Sequence, residues 1–241
     1  MVQKIREIYR ILMKEYGPQG WWPLSGKPRT VRCEKGKALH APKHHNGPPI
    51  NDQDRFEIMV GAILTQNTAW TNVEKAIEPL GKNNLLDYHK LQKAPVHKIA
   101  ALIRSAGYYN QKAARLRTIS EFVKTHGMKS LLKMETEKLR TILLELNGVG
   151  PETADSIILY AFEKPSFVID AYTRRIFSRL GICKKDAPYK DLRQLFMKNI
   201  RKDVKVYQEY HALIVKHAKR HDRTKPECTG CKIADKCAKS Y

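Results

Sequence analysis

Two carboxylates, Glu152 and Asp170, stand 18 positions apart, and the residues around each suggest a chemistry. Asp170 follows the apolar run Phe167-Val168-Ile169 and opens a helical pattern that continues through Arg174 and Arg175. An aspartate in that place caps the helix by accepting from its first amides. The helix dipole and those same amides favour its ionised form. A carboxylate so held suits stabilising a cation-like transition state and orienting a water, and one side chain can both cap and react. Arg174, on the same helix, faces solvent or phosphate. Glu152 is the second residue of the preceding helix, where an acid is electrostatically favoured, and a carboxylate cannot form a Schiff base.

Upstream of Glu152, Leu146-Asn147-Gly148-Val149-Gly150 joins two helical patterns through two glycines with one residue between them. Pro151 at the first helical position starts the second helix. Exposed amides at such a start hold a phosphate oxygen without reading bases; a plain tight turn between helices is the other reading. Trp21-Trp22-Pro23 places adjacent indoles before a proline. They either wall a pocket or anchor the N-terminal helix. As a pocket they would attract a cationic ring by about 0.5–2 kcal/mol through cation–π contact. Near the other end Cys228, Cys231 and Cys237 form C-x2-C-x5-C among Lys225, Lys232 and Lys236. Thiols that close are a metal signal in a reducing compartment.

The elements that must position these groups are helical. Apolar spacing predicts helices over roughly 2–15, 55–64, 69–80, 96–105, 111–125, 136–145, 151–162, 171–180, 189–199 and 204–219. No alternating strand pattern of useful length appears, and the breaks carry Gly, Pro or Asn, so the expected fold class is all-α. Residues 32–54 are basic and His-rich without apolar period and read as a long surface loop or inserted arm. Its Cys33, His40, His44 and His45 are irregularly spaced, which favours contact with phosphates over a metal site. Lys and Arg number 45 against 24 Asp and Glu in 241 residues, a net +21 that implies an acidic polymer as partner. No run of eighteen apolar residues and no signal core is present. A cytosolic, nucleoid-associated monomer is expected, with nuclear and organellar homes left open.

The hairpin and its aspartate closely resemble the helix-hairpin-helix, Gly/Pro-rich loop and aspartate superfamily of DNA glycosylases, the endonuclease III relatives. GAILTQNT (Gly61–Thr68) and GYYNQKAARL (Gly107–Leu116) match two further blocks and look most like 3-methyladenine DNA glycosylase III. The resemblance runs from about Trp21 to Cys237 apart from the His-rich insertion. It implies base excision repair on double-stranded DNA and two helical subdomains. One is a six-helix domain over 56–163 with the hairpin. The other joins an N-terminal helix within 1–30 to 164–241 with the cysteine loop, residues 31–54 being inserted. Asp170 would be the catalytic residue, and Trp21, Trp22 and Glu152 would line the base pocket. Gln66 would fill the gap left by an extruded base and Tyr108 would wedge the duplex, although the residues alone also allow a polar helix end and a packed aromatic. Asn67, Asn110 and Lys112 lie in the same DNA-facing blocks, with Asn147, Gly148, Val149 and Gly150 gripping the backbone.

Lyase members of the superfamily carry a lysine at the position of Glu152, so the resemblance implies a monofunctional glycosylase for an alkylated purine such as 3-methyladenine. Excision of mismatched uracil or thymine, an endonuclease III-like lyase and a non-catalytic lesion binder are the rival readings. The superfamily's cluster loop is C-x6-C-x2-C-x5-C, and His221 stands where its first cysteine belongs. That leaves a 4Fe–4S cluster held by His221, Cys228, Cys231 and Cys237, a zinc on the same four residues, or a loop without metal.

Overall fold

A computed structural model describes residues 2–25, 48–223 and 225–238; Cys33, His40, His44 and His45 lie outside the described residues. Among the described residues every regular element is helical. The helices are α1 (Val2–Tyr16), α2 (Asp52–Leu64), α3 (Trp70–Lys82), α4 (Tyr88–Lys93), α5 (Val96–Leu102), α6 (Tyr109–His126), α7 (Met128–Lys133), α8 (Thr136–Leu144), α9 (Pro151–Ser156), α10 (Ala171–Arg179), α11 (Tyr189–Asn199) and α12 (Val204–His221). They fall into two compact units. One is Trp22–Lys164, and the other combines Met1–Trp21 with Pro165–Tyr241.

The continuous unit is organised on α2. Phe56 to Leu64 has no polar stripe and is buried on every side, as a helix that is apolar all round must be. Its exception, Glu57, accepts from the amide and hydroxyl of Ser25 at 2.5 and 2.7 Å. Trp22 packs its indole against Trp70 and Tyr160 at centroid distances of 5.4 and 5.1 Å. That packing favours glycine at position 61, because a Cβ there would stand 3.0 Å from the indole Nε1 and the ring would have to give way. Across the hairpin, Arg140 of α8 forks onto Asp155 of α9 through Nε–Oδ1 at 2.9 Å and Nη2–Oδ2 at 3.2 Å. Asp155 is fully buried, so this bidentate pair fixes how the two helices meet.

The discontinuous unit packs α1, α10, α11 and α12 around an aromatic cluster. Phe167 stacks on Phe196 at 4.4 Å, and Phe177 meets Phe196 edge-on at 4.6 Å. Tyr210 of α12 donates its hydroxyl to the Ile5 carbonyl of α1 at 2.8 Å. Ile5, Ile8 and Leu12 of α1 are fully buried.

The helices differ from the sequence reading in three places. The helix expected over 151–162 is α only to Ser156 and then widens into a π turn, Ile157–Ala161, in which the Phe162 amide bonds the Ile157 carbonyl at 3.2 Å. The pattern expected over 96–105 breaks after Leu102 into a 3-10 turn, because Gly107 at φ 65° and Tyr108 at φ 45° reverse the chain before α6. Six-residue α4 and α7 were not anticipated, being too short to show a period; α4 is instead announced by Asp87, which caps it through the Lys90 amide.

Candidate active site and metal centre

In the continuous unit the hairpin turns on Gly148 at φ 83°. A side chain there would be strained by that φ and would also displace Arg115, whose Nε lies 2.3 Å from where a Cβ would fall. Gln66 is locked onto this turn: its Nε2 donates to the Gly148 carbonyl at 2.9 Å and to Thr153 Oγ1 at 3.0 Å, and its Oε1 accepts from Arg115. Asn147 and Gly150 are exposed at the tip. Val149 is not: its side chain is buried and its amide is spent on the Leu146 carbonyl at 3.0 Å, so it shapes the turn and does not face DNA. Asn67 (φ 50°) and Asn110 are exposed, and Tyr108 stands 68% exposed in the left-handed region. An aromatic so presented is no core residue. Lys112 is the second correction. It is 1% exposed, and its ammonium donates to Leu64 O, Thr68 Oγ1 and Ala106 O at 2.8, 2.7 and 2.8 Å. It ties the Gln66 segment to the Tyr108 segment from inside and reaches no phosphate.

Trp22, expected at the base pocket, is 7% exposed within the packing beneath α2, so it serves as a core anchor. Glu152 is exposed in the first turn of α9.

In the discontinuous unit Asp170 caps α10, with Oδ1 accepting from the Thr173 amide at 2.7 Å. Its Oδ2 lies 3.6 Å from His211 Nε2 of α12. Burial pushes the carboxyl upward, but His211 and the Thr173 amide outweigh it and hold the group below the ordinary aspartate value. Trp21 is half-buried and meets the His211 ring edge-on at 5.9 Å. Arg174 donates to the Ala187 carbonyl, which commits part of its guanidinium to the fold.

The cysteine loop encloses a cavity of about 310 Å³ lined by Cys228, Cys231, Cys237, His217 and His221. His221 is 7% exposed, and its Nδ1 meets the Glu227 carbonyl at 3.0 Å. Its Nε2 is buried with no hydrogen-bond partner, the condition of an imidazole prepared for a ligand. Burial pushes the Cys231 thiol up, and Cys228 and Cys237 add to the effect. Among the described residues no group of three or more His, Cys, Asp or Glu side chains is arranged to hold a metal ion. The donor set, the cavity and the orphaned Nε2 nonetheless fit a group larger than one atom. Asp222 ties this loop to α10 through Arg175 at 2.7 Å and through Arg179.

His211, Arg115, Thr153 and Asp222 were missed by sequence reasoning. Only Arg115 carried a signal, inside the GYYNQKAARL block.

Helical units and a glycine hairpin between α8 and α9 define a helix-hairpin-helix protein. A family model described as HhH-GPD superfamily base excision DNA repair protein matches residues 60–202, and the chain belongs to that family. A Methanocaldococcus jannaschii protein named as a DNA repair glycosylase is 42% identical over 239 residues, covering 98% of this chain and 96% of its own. Endonuclease III of Sulfolobus acidocaldarius is 28% identical over 238 residues, covering 98% and 93%. Among solved structures, Helicobacter pylori 3-methyladenine DNA glycosylase bound to 1,N6-ethenoadenine matches with TM-score 0.66 and 25% identity, over 91% of this chain and 95% of that one. A trapped endonuclease III–DNA covalent intermediate matches in fold with TM-score 0.75 and 20% identity, over 99% and 96%. The chain is accordingly a DNA glycosylase of base excision repair. No described helix is long and apolar enough to cross a membrane.

Proposed function

We propose that the chain is a monofunctional glycosylase that releases a flipped, alkylated purine from DNA, with Asp170 as its catalytic residue. The observation that carries this is the state of Asp170: a buried carboxylate held below its ordinary value, with Oδ1 fixed by a helix amide. Its negative charge would stabilise the sugar cation as the base departs, and Oδ2 would orient the attacking water. Glu152 offers no amine for a covalent intermediate. Lys112, a lysine of the DNA-facing blocks, offers none either, its three protons being bound by three acceptors. A cationic purine is a leaving group already activated by its charge, so it asks little of a general acid. Trp21 supplies an aromatic face for it. The ethenoadenine-bound relative supports a modified purine as substrate.

The test is a panel of duplexes bearing 3-methyladenine, 7-methylguanine, mismatched uracil or thymine, or an oxidised pyrimidine, scored for strand breaks with and without hot alkali. Alkali-dependent breaks at an alkylated purine, lost in Asp170→Asn, are expected. The similarity to endonuclease III favours a second reading, lyase activity; breaks without alkali would establish it and end the first.

A 4Fe–4S cluster on Cys228, Cys231, Cys237 and His221 Nε2 completes the proposal, and when bound it would serve as a structural cross-link of the lysine-rich loop. Iron and sulfide are expected in the purified chain, retained in His221→Cys and lost in Cys231→Ala. Stoichiometric zinc without iron would refute the cluster.

A further inference from the structure

We infer that His211 is a positioning residue for Asp170, its imidazole holding the one carboxylate oxygen that the helix cap leaves free to act. The inference rests on the reading of Asp170 as the catalytic carboxylate.

The two oxygens of Asp170 have different surroundings. Oδ1 is committed to the Thr173 amide at 2.7 Å. Oδ2 is therefore the oxygen available to a water or a sugar, and it is the one that faces His211 Nε2 at 3.6 Å. This separation is slightly longer than a direct hydrogen bond. Capping alone does not call for such a neighbour. Asp87 and Asp203 cap α4 and α12 from half-exposed positions, whereas Asp170 is 9% exposed and His211 5%. A carboxylate at that depth takes up a proton unless a donor or a positive group faces it.

The imidazole is itself held in place. Its ring meets Trp21 edge-on at 5.9 Å, and the adjacent Tyr210 pins α12 through the Ile5 carbonyl at 2.8 Å. His211 has little freedom to leave Oδ2, and Oδ2 in turn has little freedom to rotate. His211 makes and breaks no bond in this account; it sets the angle from which Asp170 meets the reacting atoms.

Four variants separate the possibilities: His211→Phe, which keeps a ring against Trp21, His211→Gln, which returns an N–H, Asp170→Asn, and the double Asp170→Asn/His211→Phe. The measurements are the single-turnover rate, with enzyme in excess, on a duplex carrying one 7-methylguanine, and Kd on a duplex carrying a tetrahydrofuran abasic analogue. His211→Phe should slow the rate by about 100-fold, the scale of a lost positioning contact, with Kd changed less than about twofold. His211→Gln should recover about tenfold of that loss, and the double variant should be no slower than Asp170→Asn alone. A His211→Phe rate equal to wild type, a His211→Gln rate no better than His211→Phe, or a loss wholly in Kd would overturn the inference. Full activity in Asp170→Asn would overturn the underlying reading of Asp170, and this inference with it. An Asp170→Asn chain that is dead beside an undisturbed His211→Phe would sink the inference alone.

Discussion

The ammonium of Lys112 has three protons and three acceptors, Leu64 O, Thr68 Oγ1 and Ala106 O. Lys112→Met would take a donor from all three, and because Thr68 Oγ1 still donates to Ala106 O at 2.6 Å the Leu64 carbonyl loses most, at a cost of about 1–3 kcal/mol for a buried group left unmatched. Urea unfolding should accordingly show a loss of about 3 kcal/mol, the upper end for one group left wholly unmatched. The cost should also depend on pH. Burial, with Arg115 adding to it, lowers the Lys112 pKa from 10.5 to about 8. Between those values the unfolded chain binds more protons than the folded one, so wild-type stability rises with pH relative to Lys112→Met. Below about pH 8 both states are protonated and the gap is constant. The difference between the two chains should be larger at pH 10 than at pH 7; a gap that shrinks would mean that the charged form is the one the site favours.

Tyr108 links a residue's strain to the placing of α6. It sits at φ 45° and ψ 34° as the residue before that helix, a region that costs a non-glycine residue about 1–2 kcal/mol. Tyr108→Gly should raise thermal stability by about 1 kcal/mol, since the exposed ring adds little to the core, and should slow base release if the ring wedges the duplex as proposed. Loss of stability in that variant would show that the ring packs where it stands. The reverse trade applies to α2. Gly61→Ala gains helix propensity but drives a methyl against the Trp22 indole, and overpacking should win by about 1–2 kcal/mol in chemical denaturation. The long helices were legible in the sequence because their apolar spacing is local information: α11 falls at 189–199, as its period predicts. Asp170, the hairpin glycines and the cysteine loop were legible for the same reason, each being a short pattern at a fixed offset. His211 and Lys112 were not, and for Trp22 the sequence left pocket and anchor both open, because their surroundings are made by residues far along the chain. Asp170 and His211 are 41 positions apart, and nothing near His211 distinguishes an ordinary helical histidine from one facing a buried carboxylate.

Over the whole molecule the excess of cations should dominate the affinity for undamaged DNA. A net charge of +21 implies many phosphate contacts, and six or more would weaken binding by about 10³-fold or more between 50 and 200 mM salt. Fluorescence anisotropy on an undamaged duplex measures this, and a flat salt response would contradict it. The arrangement of the chain has a different consequence, in time. Tyr210 and Ile5, which join α12 to α1, are 205 positions apart, with the whole of Trp22–Lys164 translated between them. At about 5–20 residues per second a ribosome needs about 10–40 s to span that interval. Helix α1 thus carries Ile5, Ile8 and Leu12 without their cover from α12 over that interval, while Trp22–Lys164, a compact unit continuous in sequence, is complete before α12 is made.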